Sequence, residues 1–238
     1  MVPIPLNDNI RRQTFWFSTL ALIVLNAAVF GYELSLGPDV NRFIFFFGLI
    51  PARYTTAHGA IIATSLAAFL VPVFTSMFIH GGWLHLIGNM LFLFVFGRSI
   101  EDRFGHGRFL LMYFVCGFGA ALTDILFNMG SRVPTIGASG AIAGILGAYL
   151  VSYPTARITT LIPLFIFFWT VRLPALLVLV YWFAIQFVAG YQMLAIESAT
   201  KGGVAWWAHV GGFILGMLIA FAMPKRQSRA AQIWPWEV

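Results

Sequence analysis

Serine and histidine do chemistry together when an imidazole can take the proton of a hydroxyl, and Ser139 and His209 are the pair whose settings suit that use. Ser139 stands among small residues, Ile136-Gly137-Ala138-Ser139-Gly140-Ala141-Ile142-Ala143-Gly144, at the head of an apolar helix-like run. A hydroxyl there lies near the first-turn N–H groups of a helix, where positive partial charge collects and oxyanions are stabilised. The competing explanation is packing: Gly140, Gly144 and Gly147 let two membrane helices approach closely, the pattern of small residues four apart. A second motif shifts the balance toward chemistry: Ala208-His209-Val210-Gly211-Gly212-Phe213-Ile214-Leu215-Gly216. Gly140 and Gly144 on one helix, with Gly212 and Gly216 on the other, would bring the backbones close enough for a Ser-His hydrogen bond. His85 and Asn89 are four apart and share a helix face. With the Ser139 backbone N–H they would form an oxyanion hole, although such a pair alone more often packs helices and bonds loops.

The elements that must hold these residues are set by composition. Sixty per cent hydrophobic residues and nine per cent charged ones leave too little charge to cover a soluble domain of 238 residues. The chain is therefore an all-α polytopic membrane protein, expected as one domain over 1–238 with a short N-terminal segment 1–13 and a tail 224–238. Six spans are expected: 15–32, 83–100, 109–128, 139–153, 174–191 and 204–223. No cleavable signal sequence is evident, because the first apolar run is too long and lacks a small-residue cleavage site. Residues 33–80 are broken by Gly37-Pro38, Pro51, Gly59 and Pro72 and are expected to form a long loop with amphipathic pieces in the interface. Residues 158–173, interrupted by Pro163 and Arg172, are expected as an interfacial or re-entrant connector.

Of the fourteen basic residues, Arg42, Arg53, Arg132 and Lys201 fall on one side of six alternating spans and the other ten on the side of the termini. That excess places the termini in the cytoplasm. The net charge of +6 is accordingly a matter of topology and anionic lipid, not of nucleic acid. Cys116 is single, which rules out an intrachain disulfide and a metal-thiolate cluster; it is expected as packing. Even-numbered spans start on the outer side, so His85, Asn89, Ser139 and His209 fall in one leaflet, and intramembrane polar groups that converge in depth favour function. No acid is placed to orient His209, which points to a dyad. Asp124 with Asn128 is expected as a structural polar pair, His58 and His106 as solvated loop histidines, and His80 as a tie for the long loop. The turn Glu101, Arg103 and Gly105 is expected as a helix-end polar network.

Taken together, Phe78-Ile79-His80 with His85-Leu86-Ile87-Gly88-Asn89, then Glu101-Asp102-Arg103-Phe104-Gly105, Gly137-Ala138-Ser139-Gly140, and Ala208-His209 with Gly212 and Gly216 resemble the rhomboid intramembrane serine proteases. The resemblance covers about the second to the sixth helix. It implies Ser139 as nucleophile, His209 as base, His85 and Asn89 in the oxyanion hole, and cleavage of transmembrane protein substrates with neither metal nor cofactor. Some bacterial members carry a tyrosine one turn after the nucleophile that stacks on the histidine; here Ala143 stands at that position, leaving open what orients His209. Trp206 and Trp207 are candidates for lining the site, but are expected chiefly as interface anchors. Six spans are most like the simple bacterial form, implying a multi-pass protein of a bacterial inner membrane with its site opening outward. The alternatives are a non-catalytic relative that binds membrane clients, and a histidine-dependent metal or proton transporter. Substrate and oligomeric state are not written in the sequence.

Overall fold

The computed structural model describes residues 4–55, 65–164, 167–195 and 205–223. His58, Lys201 and the tail 224–238 with its three basic residues lie outside the described residues. Long helices follow from long apolar runs, because a backbone in hydrocarbon must satisfy its hydrogen bonds within itself. They are α1 (Phe17–Ser35), α6 (His106–Phe127) and α8 (Ala175–Ala195), together with α4 (Trp83–Phe92), which passes through a π-helical turn at Leu93–Gly97 into α5 (Arg98–Phe104). Each is long and apolar enough to cross a membrane. The remaining expected spans, α7 (Ser139–Ser152) and α9 (Trp206–Ala222), are shorter, with 14 and 17 residues. The protein is thus a polytopic helical membrane protein. The long loop contains two short helices, α2 (Val40–Phe47) and α3 (Leu66–Thr75), and α2 leaves Phe45, Phe46 and Phe47 exposed, as an interfacial piece should.

Helix α7 is the axis of the molecule. Every residue from Gly140 to Tyr149 is buried, as befits a helix apolar all round. Its closest neighbour is α9, and glycines set the separation. A Cβ on Gly212 would collide with the Gly140 carbonyl oxygen, and one on Gly216 with that of Gly144. Cys116 of α6 is buried against Gly144, in the packing role expected of it.

The end remote from Ser139 holds strands that the sequence reading did not foresee. The stretch 158–173, expected as an interfacial or re-entrant connector, is folded as a hairpin of β2 (Arg157–Leu164) and β3 (Phe167–Pro174), with Ile158 opposite Leu173 and Thr160 opposite Val171. The short N-terminal segment contributes β1 (Ile4–Asp8), which pairs antiparallel with β2 to give a sheet of order β1-β2-β3. β-branched Ile158, Thr159 and Thr160 suit a strand, and pairing gives each backbone polar group a partner without a helix. Pro5 is admissible because β1 is an edge strand. Asp8 then points inward, where its carboxylate accepts hydrogen bonds from Arg12, from Ser99 Oγ (2.6 Å) and from Tyr149 Oη (3.0 Å).

The acidic turn does the work of a remote helix cap. Glu101, fully buried, accepts from the backbone N–H groups of Ser18 and Thr19 at 2.7 and 2.8 Å, two of the first-turn donors that α1 cannot satisfy itself. Asp102 accepts from the N–H groups of Gln13 and Thr14 at 2.9 and 2.7 Å. The expected polar network is present, with one correction: His106 is exposed as expected, but it opens α6 rather than lying in a loop, and its Nδ1 bonds Glu101.

Candidate active site

The site is built at the opposite end. Ser139 is the first residue of α7 and His209 lies in the first turn of α9, so the glycine contacts that bring these helices together also bring their side chains together. His209 Nε2 lies 2.7 Å from Ser139 Oγ. The other ring nitrogen, Nδ1, lies 2.6 Å from Gln186 Oε1 on α8. An amide oxygen only accepts, so Nδ1 carries the proton and Nε2 presents its lone pair to the serine hydroxyl. Trp182, one turn before Gln186, is tilted over the His209 ring with centroids 5.7 Å apart, and Trp206 meets it edge-on at 6.4 Å. Ala143, fully buried in the core, plays no such part. Gln186 and Trp182 answer what holds the imidazole, and sequence reasoning missed both. The signal was available: Gln186, an amide in the middle of the apolar run of α8, is the kind of intramembrane polar residue that marks a site.

His85 and Asn89 face the same space from α4. His80 Nδ1 lies 3.2 Å from the Phe78 carbonyl, to which only an N–H can donate, so His80 Nε2 is an acceptor. The Asn89 amide nitrogen, 3.0 Å away, donates to it. This turns the amide nitrogen of Asn89 toward the site and leaves its second N–H available. His85 Nδ1 accepts, at 3.4 Å, from the backbone N–H of Gly81, which leaves the proton on Nε2. Gly137 marks where these donors converge: a Cβ there would lie 2.6 Å from His85 Nε2 and 3.4 Å from Asn89 Nδ2. Its φ of +116° also demands glycine.

The loop ahead of Ser139 is held from both sides. Asp124 accepts from Asn128 Nδ2 and from Thr135 Oγ1, both at 2.7 Å, confirming the structural pair and adding a third member. Leu49 and Thr135 exchange backbone hydrogen bonds, and the Gly137 N–H donates to Ser76 O at 2.8 Å. The long loop therefore positions Gly137. His80 ties that loop as expected, its N–H donating to Glu33 of α1 at 3.1 Å.

Ser139, His209, Asn89 and His85 line one cavity of about 930 Å³, with Phe92, Ile142, Leu146 and Trp182 among its apolar walls. Trp206 lines it too, while Trp207 is buried and stacks on Phe127 at 4.1 Å, so neither tryptophan is the simple interface anchor expected. Among the described residues no cluster of three or more His, Cys, Asp or Glu is arranged to hold a metal.

The model of the rhomboid domain family matches residues 67–226, about two thirds of the chain and all four of these polar residues. The chain belongs to the rhomboid family. Among similar rhomboids, RHOMBOID-like protein 1 of Arabidopsis thaliana is 34% identical over 152 residues, covering 63% of this chain and 33% of that protein. The mitochondrial Rhomboid protein 1 of Saccharomyces cerevisiae is 30% identical over 222 residues, 89% of this chain and 56% of that protein. Rhomboid protease GluP of Bacillus subtilis is 42% identical over 76 residues, 32% of this chain and 14% of that protein. The chain thus spans from about a seventh to somewhat over half the length of these relatives.

Proposed function

We propose that this rhomboid is an intramembrane serine endopeptidase that hydrolyses peptide bonds in or near transmembrane segments of membrane proteins. What supports this is the 2.7 Å contact of Ser139 Oγ with His209 Nε2 at the wall of an open cavity, in a family with a relative named as a protease. In this proposal Ser139 Oγ attacks the scissile carbonyl while His209 Nε2 takes the hydroxyl proton. His209 then gives that proton to the leaving amine, and water repeats the sequence to release the acyl group. His85 Nε2–H and Asn89 Nδ2–H, with the Ser139 backbone N–H, stabilise the oxyanion. The partners are transmembrane proteins and membrane lipid, the chain acts as one domain, and neither metal nor cofactor is needed.

The termini face the side rich in basic residues, with the sheet, and the cavity opens on the other side. Relatives named for mitochondria match alongside a bacterial one, so the bacterial inner membrane expected from the span number is not carried forward.

The test is cleavage of a single-span membrane protein by purified protein in liposomes. Ser139→Ala and His209→Ala should each abolish cleavage in folded, inserted protein, because the two act as a unit. Cleavage of the same bond by the Ser139→Ala protein would overturn the proposal; a folded wild type without cleavage would favour a client-binding role.

A further inference from the structure

We propose that Gln186 is a positioning residue that makes the dyad a three-membered chain, Gln186–His209–Ser139, with a neutral amide where other serine hydrolases place a carboxylate. The inference rests on the peptidase assignment above. Gln186 is the single polar side chain with which α8 meets the candidate site. The rest of the α8–α9 contact is aromatic: Trp182 and Phe183 against Phe213, and Phe187 edge-on to Trp207. Such rings hold the helix but leave the imidazole free to rotate or to exchange its proton between nitrogens. The 2.6 Å bond to Gln186 Oε1 removes that freedom, and both partners are buried, at 7% and 6% exposure, so water does not compete for the bond.

Tautomer is what this bond decides. A neutral imidazole with its proton on Nε2 would donate to Ser139 rather than accept from it, and such a ring cannot act as base. A neutral acceptor suits the location. A carboxylate beside His209 would be a charge buried in a membrane protein, with a large desolvation cost until the imidazolium forms. The amide fixes the same tautomer without that charge. Among the described residues, the titratable groups lining the cavity with His209 are limited to His85 of α4. Asp124 of α6 is committed to Asn128 and Thr135. Among the described residues, no acid on these elements competes for Nδ1.

The decisive measurement is made on the wild type. In ¹⁵N-histidine-labelled protein in detergent at neutral pH, with the His209 signals assigned by their loss in His209→Ala, the shifts should show Nδ1 protonated and Nε2 bare. The opposite tautomer in the wild type would overturn the proposal. Kinetically, Gln186→Leu should lower kcat by roughly 10- to 100-fold, the usual loss on removing a partner that orients a functional histidine, with KM little changed. Gln186→Glu keeps an acceptor at the same reach and should restore most of the turnover. It should also move the acid limb of the kcat profile to higher pH, because a carboxylate stabilises the imidazolium. Wild-type kcat in Gln186→Leu, where Ser139→Ala is inactive, would refute the positioning role alone. Cleavage by Ser139→Ala would instead refute the peptidase assignment.

Discussion

At the scale of single residues, the site works by fixing which hydrogen goes where. Asn89 has two amide hydrogens, and His80 takes one of them. Burial, and then the neighbouring charge of His85, lower the His80 pKa to about 4, so its Nε2 keeps a lone pair for Asn89 through the neutral range. The second hydrogen is thereby aimed at the space beside Gly137. Asn89→Ala should lower kcat by roughly 10²- to 10³-fold, the usual effect of deleting one oxyanion donor, with little change in KM. An unchanged kcat in steady-state cleavage assays would reduce Asn89 to a packing residue. Ser139, His209, His85 and Asn89 were readable because polar side chains stand out in apolar helices at depths that agree. Gln186 obeyed the same rule and was passed over because its partner is distant in sequence: nothing in the run around it names a histidine 23 residues away. The His80–Asn89 bond was hidden for a related reason, since it depends on a tautomer set by the Phe78 carbonyl.

At the scale of elements, glycine matters where two backbones touch and is dispensable where they do not. Gly216→Ala would drive a methyl group into the Gly144 carbonyl, and neither helix can yield without separating Ser139 from His209. Overpacking of this kind costs about 1–3 kcal/mol. Gly31→Ala in α1 is the control, because nothing lies within 4 Å of its would-be Cβ. Relieving glycine of its conformational entropy there should stabilise by about 0.5–1 kcal/mol. Thermal unfolding in detergent should therefore show opposite shifts for the two substitutions, with peptidase activity lost only in Gly216→Ala; equal shifts would mean that the α7–α9 contact does not set the separation. The helices were legible from apolar run length, with ends off by a few residues. The sheet was not. Arg157–Leu164 has the β-branched residues of a strand, yet Pro163 and an apolar character argued equally for an interfacial segment. Its partner β1 is five residues with a proline, and just beyond it Asn9 Oδ1 accepts from the Arg157 N–H across 148 positions, so only the fold brings them together.

At the scale of the whole molecule, the proposed peptidase activity makes depth the control on what can be cut. The 14 residues of α7 span about 21 Å, against a hydrocarbon thickness of about 30 Å. The Tyr149–Asp8 bond ties the other end of α7 to the sheet, and in the proposed topology this sets Ser139 below the far surface rather than at it. A substrate must therefore bring its scissile carbonyl into the membrane, where in an intact helix that carbonyl is already hydrogen-bonded and covered by its neighbours. Exposing it to Ser139 requires local unwinding, which is costly where no water replaces the lost hydrogen bonds. Glycine or proline near the outer end of the substrate span lowers that cost by about 1 to 3 kcal/mol per residue relative to alanine. Gly81 and Gly88 line the cavity, and Gly137 keeps the space before His85 Nε2 free of a side chain, which leaves room for the peptide backbone and favours a small side chain just before the cut. Cleavage is accordingly expected near the outer boundary of single-span substrates, after a small residue such as alanine and just before helix-weakening residues. Replacing those weakening residues with leucine should suppress cleavage in liposomes while leaving binding, measured with the Ser139→Ala protein, intact. If the leucine-rich substrate is cut as fast and at the same bond, unwinding does not limit access, and selectivity must arise in the cavity walls instead.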